Sequence, residues 1–200
     1  MSDTIVAKGS DSKFKAHPDG QYVGQCVDTI DLGEKVQDFP GTVPYLAPTC
    51  ALVFRTCEMN EDTGEYIDIA REFTVSMGEK ANLRKFLEQW RGKPYTKEAI
   101  EAGVPLDKLT GNHGLLTVAH RTSGKGRIYA NVTACVGIPK QMKDSVTHYD
   151  DYARADYWAT KKKEYAEAAA KFRADNAAPK QDHSDFPDDA PPHDDDDLPF

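Results

Sequence analysis

The sequence predicts a mainly β domain. Five strands close a small barrel, a helix stands between the third and fourth strands, and a C-terminal helix leads into a disordered acidic tail. Three observations predict this. Alternating apolar patterns dominate residues 21–77 and 115–137. One stretch between them, 80–90, changes to a helical period. The composition then shifts after residue 176, where 177–200 hold five Pro and eight Asp and cannot bury enough apolar surface to order themselves.

Residues 1–18 read as a flexible arm, although Lys13, Phe14 and Lys15 could pin it to a surface or a phosphate. Pro18, Asp19 and Gly20 signal a turn. Residues 21–32 alternate around Tyr22, Val23, Cys26, Val27 and Ile30 as a first strand, and 33–48, with two Gly and three Pro, read as a long loop. Residues 49–58 form a second strand. Asn60, Asp62 and Gly64 suit a hairpin turn into a third strand over 66–77, with Ile67, Ile69, Phe73, Val75 and Met77 on one face. Leu83, Phe86, Leu87 and Trp90 then fall at helical spacing, stopped by Gly92 and Pro94. A shorter helix is expected over 97–102. Residues 115–121 and 128–137 give the last two strands, joined by the loop 122–127. Residues 149–176, rich in Ala, Lys and Glu, predict a long helix on which Trp158, Tyr165 and Phe172 recur every seven positions. That stripe is expected to dock on the barrel or on a sister subunit, which leaves a homo-oligomer open.

Three strands, a helix and two strands is the order of the OB-fold, whose strand face and hairpin loops hold oligonucleotides. The expected organisation is therefore an arm (1–18), an OB-fold barrel (19–148), a helix (149–176) and an acidic tail (177–200). The tail finishes on Asp194, Asp195, Asp196, Asp197, Leu198, Pro199 and Phe200. Exposed apolar residues gain nothing in water, so an apolar plug behind four carboxylates suits a docking peptide better than a solvated tail. These seven residues closely resemble the acidic tip of bacterial single-stranded DNA-binding proteins. With the body's layout they make the whole chain similar to the phage-encoded members of that class. The resemblance implies a protein that coats single-stranded DNA and recruits replication, recombination or repair proteins through the tip.

Charge fits that expectation once it is divided. The chain carries 25 basic and 33 acidic residues, a formal net charge of −8. Residues 182–200 hold eight Asp and no Lys or Arg, so 25 basic face 25 acidic residues in 1–181. Within the body, 19–70 carry ten acids against Lys35 and Arg55, while 71–143 carry thirteen basic residues against six acids. A basic region inside a neutral body can hold a polyanion although the overall balance is acidic.

Single strands are gripped by aromatic faces that stack on bases and by cations that follow phosphates. In 128–137 the alternation places Tyr129 opposite the apolar parity, and it does the same for Arg55 and Tyr66 on their strands. Arg71 falls on the apolar parity, so it is either turned outward by a bulge or paired inside. Arg121, Lys125 and Arg127 flank the last hairpin, Phe39 and Tyr45 lie in the first loop, and Lys80 and Arg84 lie along the first helix. These eleven residues are the expected DNA-binding set, and residues 194–200 are the expected partner-binding tip.

Other chemistry finds less support. Ser123, Gly124, Lys125 and Gly126 fail the phosphate-loop pattern, since Ala119 stands where its first Gly belongs. Asp68, Glu72 and Glu79 are the carboxylates a metal nuclease would need, but Asp68 and Glu72 fit the polar face of a strand. An acidic DNA mimic would spread its acids over the body rather than the tail. No enzyme, metal or cofactor is expected. The four Cys, with no C-x-x-C pair, read as reduced and buried. With no apolar run long enough to span a membrane and no signal segment, a cytoplasmic location is expected.

Overall fold

The computed structural model describes residues 16–123, 126 and 128–176, with 144 and 145 described by their backbone alone. Its elements are β1 (Gly20–Gln37), β2 (Tyr45–Arg55), β3 (Ile69–Thr74), α1 (Asn82–Arg91), α2 (Lys97–Glu101), β4 (His113–Thr122), β5 (Ile128–Val136) and α3 (Asp156–Asp175). Short 3-10 turns stand at Asp107–Leu109 and Lys140–Ser145. The strands form one antiparallel sheet in the order β3-β2-β1-β4-β5. This is mainly β architecture, consistent with an OB-like arrangement in which the sheet is left open between its edge strands.

Those edges, β3 and β5, are spanned by a side chain rather than by a backbone ladder. The Arg71 guanidinium donates to the carbonyl oxygens of Val132 (2.9 Å) and Thr133 (2.7 Å) on β5. It lies over the Phe73 and Phe86 rings, 4.8 and 5.2 Å from their centroids. Arg71 thus follows the inward parity and is paired there. The open seam supplies carbonyls that a closed ladder would have used.

The sheet buries two cores because both its faces are covered. Inside the curl, Cys26, Leu52, Phe54, Phe73, Leu116, Val132 and Cys135 pack with Leu83, Phe86, Leu87 and Trp90 of α1. This helix packs into the curled sheet with its i, i+3, i+4, i+7 stripe and ends at Gly92, whose φ of 72° caps it in the left-handed region. Trp90 Nε1 donates to His113 O at 2.9 Å. The neighbouring Gly114 makes room for it, since a Cβ there would collide with Cys135 Sγ and the indole. On the outer face, Val27, Ile30, Leu32, Ala51 and Val53 pack with Tyr149 and Trp158. Register shifts at Cys26/Asp28 and Asp31/Gly33 turn successive β1 residues toward this second core. β2 is buried on both faces from Thr49 to Phe54, which explains its near-continuous apolar run.

Several element bounds differ from expectation. Residues 33–37 and 45–48, predicted as loop, extend the β1–β2 hairpin, with Gly33 opposite Thr49 and Gln37 opposite Tyr45. Cross-strand pairing overrides the local Gly and Pro signals there. β3 is shorter than the expected 66–77, and Tyr66 makes only an isolated bridge with Met59. The final helix starts at Asp156 rather than 149, because Tyr149 and Tyr152, on either side of a turn, are drawn onto the second core. Residues 16–18 are fixed to the sheet. His17 is buried, its Nε2 lies 2.8 Å from Thr56 Oγ1, and its carbonyl meets His120 Nε2 at 2.9 Å. Residues 1–15 and the tail expectation lie outside the described residues. Cys26, Cys50 and Cys135 are buried, and burial pushes their thiols up, Cys26 to about 12 and Cys50 to about 11. Cys57, against expectation, is exposed. Among the described residues, no helix is long and apolar enough to cross a membrane.

Candidate nucleic-acid interface

The seam between β3 and β5 opens outward into two adjoining hollows of about 720 and 860 Å³ that share Arg71 and Glu72 as walls. The first runs from Tyr45 and Lys35 on the β1–β2 hairpin past β3 to Lys80 before α1. The second continues between β3 and β5 to Tyr129 and reaches Tyr157 and Lys161 on α3. Three of the expected residues, Tyr45, Arg71 and Lys80, therefore meet in one hollow, and Tyr129 joins Arg71 in the next. Arg121 pairs directly across the ladder with Tyr129, on the same face, and its charge acts on Arg71.

These residues differ in what they have free. Tyr45 is 48% exposed and Tyr129 43%, enough to offer a ring face. The Lys80 and Arg121 side chains are exposed and make no hydrogen bond or ion pair among the described residues. The Arg71 charge is held in the seam, and burial first, then Arg121, pulls its basicity below the ordinary value. Phe39 is exposed at the tip of the β1–β2 hairpin, where its carbonyl accepts from Thr42 N at 3.0 Å. It lines neither hollow.

Three other expected contacts are engaged within the protein. Arg55 forms a bidentate pair with Asp68 at 2.7 and 2.9 Å, reaches Asp151 at 3.4 Å and is flanked by the Tyr66 and Tyr152 rings. Tyr66 packs on the second core, edge-on to Tyr149. Both do leave the inner face, as alternation requires, but 149–158 covers the outer face there. Arg84 pairs with Glu88 at 2.9 Å, one helical turn on. Lys125 and Arg127 lie outside the described residues, as do 194–200.

Four acids of β1 and β3, Asp28, Asp31, Glu34 and Glu72, also have partners. Arg154 pairs with Asp28 and Lys162 with Asp31 at 2.7 and 2.9 Å, and Arg173 pairs with Glu34. Glu72 receives Lys161, Lys35 (3.1 Å) and the Tyr165 hydroxyl (2.9 Å). Burial disfavours the charges of Glu72 and Lys161, yet their pairing outweighs it. The carboxyl is held below its ordinary value and the ammonium above. Three of the ten acids of 19–70, Asp28, Asp31 and Glu34, thus hold residues 154–173 on the sheet together with Glu72, and Asp68 is held in its pair with Arg55.

Sequence reasoning left out Tyr157, Lys35 and Lys161 as groove residues. Tyr157 is 57% exposed and stands one position off the Trp158, Tyr165, Phe172 stripe. That offset is a usable signal, because a residue flanking a buried stripe borders whatever the stripe covers. The walls of the two hollows carry four cations (Lys35, Arg71, Lys80, Lys161) and three carboxylates (Asp68, Glu72, Glu79). The free positive charge therefore comes from Lys80 and the adjacent Arg121. Such a surface can stack bases and hold a few phosphates.

Comparison with protein-family models, curated proteins and solved structures gives no match.

Proposed function

We propose that this chain is a single-stranded DNA-binding protein that holds the strand in the seam groove. It coats DNA without strong sequence preference during replication and recombination, and recruits other proteins through residues 194–200. The observation that carries this reading is the grouping of exposed Tyr45 and Tyr129 with unpaired Lys80 and Arg121 along one open barrel edge. Rings that neither core uses, beside cations that pair with no carboxylate among the described residues, suit a flexible strand with splayed bases. A duplex hides its base faces and offers them nothing. The strand order supports an OB-like barrel, with the β3–β5 edge left unzipped and bridged by Arg71. The tail composition supports the recruiting role.

Titration of a labelled oligo-dT with unlabelled duplex as competitor tests this. The reading expects tight binding that duplex fails to displace and that salt weakens. With the slope for single strands near −0.7 per neutralised phosphate, Lys80 and Arg121 supply about −1.4, and Lys125 and Arg127 would raise that to about −3. Equal competition by duplex would overturn the reading.

A further inference from the structure

A third hollow, of about 600 Å³, lies away from the β1–β2 hairpin, where the start of β4 pairs with Gln25 of β1, between α1, β4 and the connection leading to residue 148. Its walls are apolar and aromatic, with Trp90, Tyr95 and Val146. Cations stand beside them. The Arg91 guanidinium lies 4.6 Å from the Tyr95 ring centroid, and Lys143 is exposed on the facing wall. His113 and His148 meet edge to face at 4.6 Å. No Asp or Glu is among the described residues that line it, in a chain of net charge −8. An acid-free, cation-edged apolar hollow suits a ligand that carries negative charge next to apolar side chains.

The chain contains such a segment. Asp194, Asp195, Asp196 and Asp197 run directly into Leu198, Pro199 and Phe200. Reach permits the contact. α3 carries the chain away from the hollow, from Arg154 on Asp28 to Arg173 on Glu34, while the hollow begins at His113, opposite Gln25. Nine residues of strand separate Gln25 from Glu34, about 30 Å. Residues 177–193 span about 20–25 Å root-mean-square and about 55–60 Å when extended. Charge also favours this hollow: no Asp or Glu is among its described lining residues, whereas Glu79 lines the seam groove beside the ion-paired Asp68 and Glu72.

We propose that residues 194–200 dock in this hollow of their own chain, with Leu198 and Phe200 against Trp90, Tyr95 and Val146 and the aspartates facing Arg91 and Lys143. The site is separate from the seam groove and does not depend on strand binding. A partner that recognises the same segment must then displace it from the barrel.

The chain has two Trp, and Trp90 lines the hollow whereas Trp158 is in the other core. Their indole N–H resonances, recorded on the full-length protein, give a reporter and an internal control. Leu198→Ser with Phe200→Ser should shift the Trp90 resonance and leave Trp158 in place. Arg91→Glu with Lys143→Glu should produce a shift of its own and make the tip substitutions silent when combined. A Trp90 resonance indifferent to the tip overturns the proposal. So does a tip effect that disappears on dilution, which assigns the contact to a second copy, or one that survives in the charge-reversed protein, which places the segment elsewhere.

Discussion

Tyr129 and Arg121 face the same side of the sheet as a cross-strand pair, one offering a ring and the other a charge, so their substitutions should separate. Tyr129→Ala should weaken oligo-dT binding by about 1–3 kcal/mol with the salt slope nearly intact, the usual worth of a stacked base. Arg121→Ala should weaken it and reduce the slope by roughly one phosphate's share. Binding isotherms at several salt concentrations measure both. Arg71 acts on the fold instead. Arg71→Ala would strand the carbonyls of Val132 and Thr133 at the seam, a loss of about 1–3 kcal/mol. It should appear as a lower urea midpoint with near-normal Tyr129 stacking once the protein is folded. Alternation told which way Arg55, Tyr66 and Tyr129 leave their strands. It could not tell that Arg55 and Tyr66 emerge beneath 149–158, since that cover is a contact nearly a hundred residues away in sequence.

At the scale of elements, α3 is held to the sheet by a stripe of apolar contacts and a row of ion pairs centred on Glu72. The Glu72 carboxyl is depressed in the folded protein. Its stabilisation is therefore complete above the ordinary carboxyl value of 4.5 and is lost as pH falls through the lower folded value. Asp31, held down by Lys162 and Gly33, acts with the same sign. Acid titration should thus loosen α3 before the inner core yields, and near-ultraviolet circular dichroism of Trp158 reports it. Glu72→Gln should lower stability at neutral pH and flatten this acid limb, and an unchanged limb would contradict the role given to Glu72. Of the elements, α1 was legible almost to the residue, because its stripe, its Gly92 cap and Pro94 all agree. The end of β1 and the start of β2 were not, since residues 34–37 and 45–48 are strands only by pairing with each other. The start of α3 was hidden for a related reason: Tyr149 and Tyr152 suit a helix locally but are drawn into the second core.

Across the whole molecule, the division of charge acquires a structural meaning that composition alone could not supply. Acids of β1 and β3 hold α3, Lys80 and Arg121 stand at the seam and Arg91 and Lys143 near the Trp90 hollow, and the surplus negative charge belongs to residues 182–200. Strand order and the split into a neutral body and an acidic end could be read from the sequence. The groove could not, because it exists only where β3 and β5 approach without pairing. The central claim is that single-stranded DNA lies along that seam. The most direct measurement is photo-crosslinking of the full-length protein to an oligonucleotide carrying 5-iododeoxyuridine, with the adducts located by mass spectrometry of the peptides. Adducts on Tyr45 and Tyr129 are the predicted result. Adducts confined to other surfaces, such as Tyr95 in the far hollow, would contradict it.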